Sequence, residues 1–95
     1  MRYTWDPVKN LRNIARRGIA FDEVTAIFDG PTVEREDDRF DYGEVRVQAI
    51  GLANGIEFTV VYTDLDDDTR HIITAWRSTP NERRYYWKEI RDLGL

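Results

Sequence analysis

Arginines and aromatic rings are concentrated in one short segment, residues 73–87, whose sequence is ITAWRSTPNERRYYW. The segment holds three arginines and four aromatic rings. A guanidinium group binds phosphate bidentately and stays charged, while Tyr and Trp rings stack on unpaired bases, so this combination suits single-stranded RNA. The alternative interpretation is that the aromatic residues belong to the core and the arginines to an ordinary helix surface.

RNA cleavage without a metal requires a base for the 2′-hydroxyl, a cation for the phosphorane and an acid for the departing 5′-oxygen. Because arginine is a poor base near neutrality, we assign the arginines to electrostatic stabilisation. We expect Arg46, Arg77 and Arg83 to form one cluster around the phosphate. The sequence leaves the proton carrier open among Lys9, Tyr62, Tyr86 and His71.

Metal and cofactor sites have little support in the sequence. His71 is the one histidine, and the chain has no cysteine, which argues against a transition-metal site. The aspartates of residues 64–68 lack the glycine and the distal glutamate of a calcium loop. No phosphate-binding loop, dinucleotide fingerprint or nucleophile elbow occurs. We therefore expect neither a metal nor a cofactor.

Length and composition indicate one globular domain over residues 1–95, with 41% hydrophobic residues and 12 aromatic residues. The beginning of the chain, MRYTWDPVKN, lacks the apolar core of a signal peptide. No apolar run approaches the ~20 residues that span a bilayer. We expect cytoplasmic residence and no membrane role.

The net charge of -4 hides an uneven distribution. Residues 1–18 carry five Lys or Arg against one acid, and residues 70–95 carry six against three. The acids concentrate in residues 19–44 and 64–69. Two basic ends in an acidic chain permit an anion site.

The N-terminal elements can be predicted from local signals. RYTW suits a short strand, and residues 7–17 suit a helix that Asp6 caps, Pro7 begins and Gly18 ends. A second short helix covers residues 21–28. The first helix has an apolar stripe formed by Val8, Leu11, Ile14 and Ala15.

The clearest signal in the middle of the chain is Asn54-Gly55 between two alternating runs. It predicts an antiparallel hairpin with strands near residues 44–52 and 56–63. A third strand follows in RHIITAWRS, apolar on both faces as in a central strand. The predicted core face of the hairpin carries the pairs Val47/Tyr62, Ala49/Val60 and Gly51/Phe58.

The last helix is predicted to begin at Pro80, because Thr79 and Glu82 form a capping box around it. The fold class is therefore α+β. We expect an antiparallel sheet of about four strands, with two N-terminal helices and a C-terminal helix. The stripe of the last helix runs through Arg83, Tyr86, Trp87, Ile90 and Leu93.

The order of these features resembles the BrnT family of small toxins, within the RelE-like ribonuclease superfamily. The resemblance covers nearly the whole chain. This sequence has Arg16-Arg17 where the family commonly has Lys-His, and Trp76 where it often has arginine. The motifs that carry the resemblance are WDPVKNLRNIARRGIAFDEVTAIFDGP, GEVR, VVYTD and HIITAWRSTPNERRYY.

The resemblance implies a RelE-like fold and a ribonuclease toxin of a type II toxin-antitoxin module, which cleaves RNA without a metal and inhibits translation. It implies a cognate ribbon-helix-helix (BrnA-like) antitoxin, through which the toxin acts indirectly on operator DNA. The catalytic residues would be Arg46, Arg77, Arg83 and Tyr86. Further RNA contacts would come from Lys9, Asn13, Arg16 and His71.

A noncatalytic function is the rival interpretation. The chain would then hold an antitoxin and modulate a DNA-bound repressor. The acidic total charge favours this rival, because strong RNA binders tend to be basic. The order of the motifs favours the ribonuclease.

Overall fold

A computed structural model describes residues 1–94 of the chain as an α+β fold. The strands are β1 (Arg2–Trp5), β2 (Val33–Glu36), β3 (Val47–Ala53), β4 (Ile56–Asp66) and β5 (Thr69–Arg77). The helices are α1 (Pro7–Arg17), α2 (Phe21–Val24), which runs into a 3₁₀ segment (Thr25–Asp29), and α3 (Pro80–Asp92). Within the described residues, no helix is long and apolar enough to cross a membrane.

The strands form one sheet in the order β1-β5-β4-β3-β2. The expectation of about four antiparallel strands is wrong in two respects, because there are five strands among residues 1–94 and β1 runs parallel to β5. The short β1 reaches β5 only at residues 69–72. Residues 73–77 of β5 therefore have a strand neighbour on the β4 side alone.

The predicted hairpin is confirmed with its register. Val47 pairs with Tyr62 and Ala53 with Ile56 across the turn. Asn54 and Gly55 both have positive φ, 52° and 76°, as the tightest two-residue hairpin turn requires. Because the side chains of a strand alternate between faces, this register fixes which residues meet each layer of helices.

The predicted helix ends are also confirmed. The Asp6 side chain accepts the Val8 amide proton, and Gly18 closes α1 in the left-handed conformation. The capping box at the start of α3 forms as expected, with Pro80 in the first turn. The predicted second helix is an α-helical turn followed by the 3₁₀ segment, and both press apolar side chains on the sheet.

Each face of the sheet has its own apolar cluster. On one face, α2 and the 3₁₀ segment place Phe21, Val24 and Ile27 against the strands. On the other face, α3 places Tyr86 and Ile90 against the β2–β3 side of the sheet. Because α3 begins three residues after β5 ends, its first turn lies beside the end of that strand.

Gly51 allows the closest approach between the sheet and the 3₁₀ segment. A Cβ atom at Gly51 would lie 2.9 Å from Ile27 Cβ and 3.2 Å from the Ile27 carbonyl oxygen. These two Ile27 atoms are a backbone oxygen and the first side-chain carbon, so neither can move aside as the end of a flexible side chain could. The sheet and the 3₁₀ segment therefore cannot keep their spacing if the residue acquires a side chain.

We predict that Gly51→Ala lowers the free energy of unfolding by about 1–3 kcal/mol, the usual cost of overpacking a core. The matched control is Gly30→Ala, where an added Cβ meets no atom within 4 Å and φ is -126°. The control should change stability by less than about 1 kcal/mol. Urea unfolding measures both. Equal stability of the two variants would contradict the close approach.

Candidate functional site

The turn between β5 and α3 is held by one carboxylate. Glu82 Oε1 accepts hydrogen bonds from the Thr79 amide at 2.7 Å, Trp76 Nε1 at 3.0 Å and Thr59 Oγ1 at 3.1 Å. The hydroxyl groups of Thr59 and the buried Ser78 lie 2.8 Å apart. This network ties the start of α3 to β4 and β5, so the residues around it have fixed positions.

Arg77 and Arg83 flank this turn, as the sequence predicted. Arg83 donates from Nη1 to the Ser78 carbonyl oxygen at 2.8 Å, and Arg77 is exposed at the end of β5. None of the ion pairs within the described part of the chain involves either residue. Both guanidinium groups therefore keep charge available for an anion.

Glu57 is a carboxylate on which the charges of both arginines act. Trp87 Nε1 donates to Glu57 Oε2 at 2.9 Å. This hydrogen bond is the largest of the effects that hold the pKa of Glu57 below its usual value, and the charges of Arg83 and Arg77 act in the same direction. Glu57 is therefore a carboxylate at neutral pH.

Glu57, Arg83 and Trp87 border a solvent-open groove of ≈ 570 Å³, which we call the α3 groove, and Arg77 is not among its lining residues. Its cations come from one side of α3, where residues three and four apart are neighbours. The ring of Trp87 is 44% exposed beside them. The groove is lined by Glu57, Pro80, Arg83, Arg84, Trp87, Lys88 and Arg91.

Arg46 does not join this cluster, so the expected grouping of Arg46 with Arg77 and Arg83 is wrong. Arg46 directly precedes Val47, which pairs with Tyr62, whereas Arg77 pairs with Phe58. Four residues of β4 separate those positions, or about 13 Å along the strand. Arg46 instead pairs with Glu44 and lies over the Tyr42 ring, 3.9 Å from its centre.

The expected catalytic role of Tyr86 is also wrong, because its side chain lies in the core. Its side chain is 1% exposed in the core under α3, and its hydroxyl donates to the Pro31 carbonyl oxygen at 3.0 Å. Burial raises the pKa of the Tyr86 phenol. From this position Tyr86 cannot stack on a base or exchange a proton with RNA. It is a core residue.

Tyr62 and His71 likewise lie away from the α3 groove. The Tyr62 hydroxyl donates to Glu34, and burial is the main cause that raises its pKa. His71 is half-buried near the beginning of β5, where Nδ1 lies 2.8 Å from Thr4 Oγ1. Arg77 is at the other end of the same strand.

Helix α1 contacts the rest of the protein through polar residues. Asn13 is buried, donates from Nδ2 to the Ile19 carbonyl oxygen at 2.9 Å and accepts from Arg17 at 2.8 Å. Asn10 accepts the Phe21 amide proton. Arg17 also donates to the Ala75 carbonyl oxygen at 3.3 Å, at the part of β5 that β1 does not reach.

This attachment turns the apolar stripe of α1 away from the core. Val8, Leu11 and Ile14 are 55%, 65% and 40% exposed. The usual outcome for an amphipathic helix is the reverse. The periodic pattern in the sequence predicts that α1 has an apolar side. It does not predict that α1 contacts the rest of the protein through its polar side, which binds backbone groups.

The basic side of α1 forms a second groove, of ≈ 270 Å³, which we call the α1 groove. It brings together Lys9 and Arg16, two of the expected RNA-binding residues, with Asn13 between α1 and β5. Asn13 is already engaged by protein partners. The α1 groove is lined by Lys9, Arg12, Asn13, Arg16, Arg17, Phe21, Ile73 and Thr74.

Sequence reasoning missed Glu57, Trp87 and Arg17 as functional candidates. The cations of α3 follow the helical repeat from Arg83 to Arg91, and this spacing was readable. The sequence could not predict that Glu57 is the partner of these cations, because Glu57 comes close to α3 only in the folded chain. Among residues 1–94, no group of three or more His, Cys, Asp or Glu residues is arranged to hold a metal ion.

Comparison with known proteins identifies one family. A family model described as "Ribonuclease toxin, BrnT, of type II toxin-antitoxin system" matches residues 5–82. The fold is similar to that of a ribonuclease toxin, BrnT, from Brucella abortus, known from a 1.1 Å crystal structure. The TM-score is 0.62 at 23% identity, over 83% of this chain and 97% of that one. No curated protein sequence matches.

Because α1 is attached through its polar side, we predict that loss of a polar side chain from this helix destabilises the protein more than loss of an apolar one. Asn13→Ala should lower the free energy of unfolding by about 1–3 kcal/mol, because the buried Ile19 carbonyl loses its donor. Leu11→Ala should change it by less than about 0.5 kcal/mol, as for other exposed residues. Urea unfolding compares the two. A larger loss for Leu11→Ala would place the apolar stripe in the core.

Proposed function

Because this chain belongs to the family of BrnT ribonuclease toxins of type II toxin-antitoxin systems, we propose that it is a metal-independent endoribonuclease and that the α3 groove is its active site. The proposal includes a place in the RelE-like superfamily and cleavage of RNA that inhibits translation. The observation that carries it is an ionised carboxylate, Glu57, in a groove lined by the cations of α3, where the charges of Arg83 and Arg77 act on it.

The chemistry follows from these groups. Glu57 accepts the proton of a 2′-hydroxyl, whose oxygen attacks the adjacent phosphate. The bond from phosphorus to the 5′-oxygen then breaks, which leaves a 2′,3′-cyclic phosphate, and the departing 5′-oxygen takes a proton from water. Arg77 and Arg83 stabilise the extra negative charge of the phosphorane, and the hydrogen bond that holds Arg83 on the Ser78 carbonyl oxygen reduces the reorganisation needed as this charge develops. The exposed Trp87 ring offers a stacking surface for a base beside the cleaved bond.

The α1 groove provides a second place for the RNA backbone. Thr74 lines the α1 groove, and Arg77 lies three residues further along β5, about 10 Å away. A single strand of RNA that follows β5 would pass Lys9 and Arg16 before it reaches the α3 groove. The sheet thus aligns the two basic surfaces, although the total charge of the protein is negative.

The remaining parts of the proposal concern the setting of this reaction. A type II module includes an antitoxin, and we propose one of the ribbon-helix-helix (BrnA-like) type, whose basic domain contacts operator DNA. The RNA substrate places the reaction in the cytoplasm. Toxin and antitoxin together would then act on their own operator, with the toxin contributing no direct DNA contact.

We predict that Arg77→Ala reduces RNA cleavage by about 10²-fold or more, because it removes a preorganised cation from the phosphate. Arg77→Lys should retain part of the activity. Arg46→Ala, at the other end of the sheet, should cleave like the parent protein. The assay uses purified protein and RNA in EDTA, with circular dichroism as a check on folding. A defect in Arg46→Ala without one in Arg77→Ala would contradict the site, and no cleavage by the parent in EDTA would contradict metal independence.

Glu57→Gln should reduce cleavage by about 10²- to 10⁴-fold, the range for loss of a general base. Because the folded protein lowers the pKa of Glu57, the parent rate should hold through mildly acidic pH and fall only as pH drops through that lowered value. The variant should lose this acid limb. Rates between pH 3.5 and 8, corrected for the folded fraction, test the assignment. Growth arrest and cleavage by Glu57→Gln at parent levels would leave Glu57 no catalytic role.

A further inference from the structure

The solvent face of α1 has no partner in the chain although its sequence is strongly amphipathic. The polar side of the helix, Asn10, Asn13 and Arg17, binds the body of the protein. Val8, Leu11 and Ile14 follow one another at three-residue steps on the opposite, exposed side. Such a row of apolar residues is the usual surface on which another helix packs.

The positive charge beside this apolar row indicates what kind of partner can bind it. At about 100° per residue, Arg12 and Arg16 lie next to Val8 around the helix, so the apolar row passes directly into a basic one. Residues 7–17 contain no acid. A complementary surface therefore has apolar side chains on one side and Asp or Glu on the next.

A second copy of this chain does not meet that requirement through the same surface. A symmetric dimer pairs a patch with itself. Two α1 helices packed in this way would bring Arg12 and Arg16 near their own copies, where like charges oppose association. The chemistry fits a different polypeptide.

We propose that the face of α1 formed by Val8, Leu11, Ile14 and Arg12 is the docking surface for an acidic amphipathic helix of the antitoxin. The inference rests on the proposed function, because the occupant is the other protein of the module. A helix seated there contacts Arg12, one of the cations of the α1 groove, at the edge of that groove. Docking would then hinder the approach of RNA without contact with Glu57.

The test measures binding of Leu11→Asp to the antitoxin encoded beside this chain, by calorimetry with purified proteins. A charge at the centre of an apolar interface should weaken binding by at least about 30-fold, as for other central interface residues. Leu11→Ser should show a smaller loss. Leu93→Asp is the matched control, because Leu93 is equally exposed, at 65%, near the end of α3. It should bind like the parent protein.

Charge and activity complete the test. Arg12→Glu should weaken binding more at low salt than at high salt. Leu11→Asp should still cleave RNA and should escape inhibition by the antitoxin.

If Leu11→Asp binds like the parent, or the parent shows no binding at micromolar concentration, the docking surface is wrong. A parent dimer that Leu11→Asp dissociates would assign the face to a second copy instead. Loss of binding in Leu11→Asp with no RNA cleavage by the parent would support the docking surface and refute the ribonuclease.

Discussion

The unpaired part of β5 is the constraint on which the surrounding structure depends. Because β1 ends opposite Ile72, the backbone beyond it has no strand neighbour on that side. Backbone groups need partners, and α1 supplies one to β5 through Arg17, which donates to the Ala75 carbonyl oxygen, while Asn10 and Asn13 bind the backbone of Phe21 and Ile19. The helix must therefore turn its polar side inward. Its apolar and basic sides are left for other molecules.

The same end of β5 organises the candidate active site. Glu82 closes the first turn of α3 and binds Trp76 and Thr59, so α3 starts at a fixed angle to the sheet. The cations of the α3 groove are carried on that helix, and Glu57 comes from the hairpin beneath it. A carboxylate beside several arginines is normally neutralised by one of them. Here the Trp87 indole takes the hydrogen bond and leaves the arginine charges free.

Local signals predicted most of the elements, because a turn or a cap is decided by a few neighbouring residues. Asn54-Gly55 fixed the hairpin register, and Asp6, Gly18 and Thr79 marked helix ends correctly. The sequence failed where a decision depends on distant parts of the chain. The side of α1 that faces inward contacts a strand some 60 residues away, through the hydrogen bond from Arg17 to the Ala75 carbonyl oxygen. The separation of Arg46 from Arg77 and the burial of Tyr86 follow from tertiary packing in the same way.

The parallel pairing of β1 with β5 has a consequence for synthesis of the protein. Residues 2–5 are made before the whole of the intervening sheet, yet their partners are residues 69–72. Contacts so distant along the chain form late, since the whole intervening segment must be closed into a loop. The first strand consequently has no strand partner until residues 69–72 have been made, whereas α1 can already bind the backbone of Ile19 and Phe21. A nascent chain that stalls before β5 has neither the partner of β1 nor any residue of α3, so it cannot form the α3 groove.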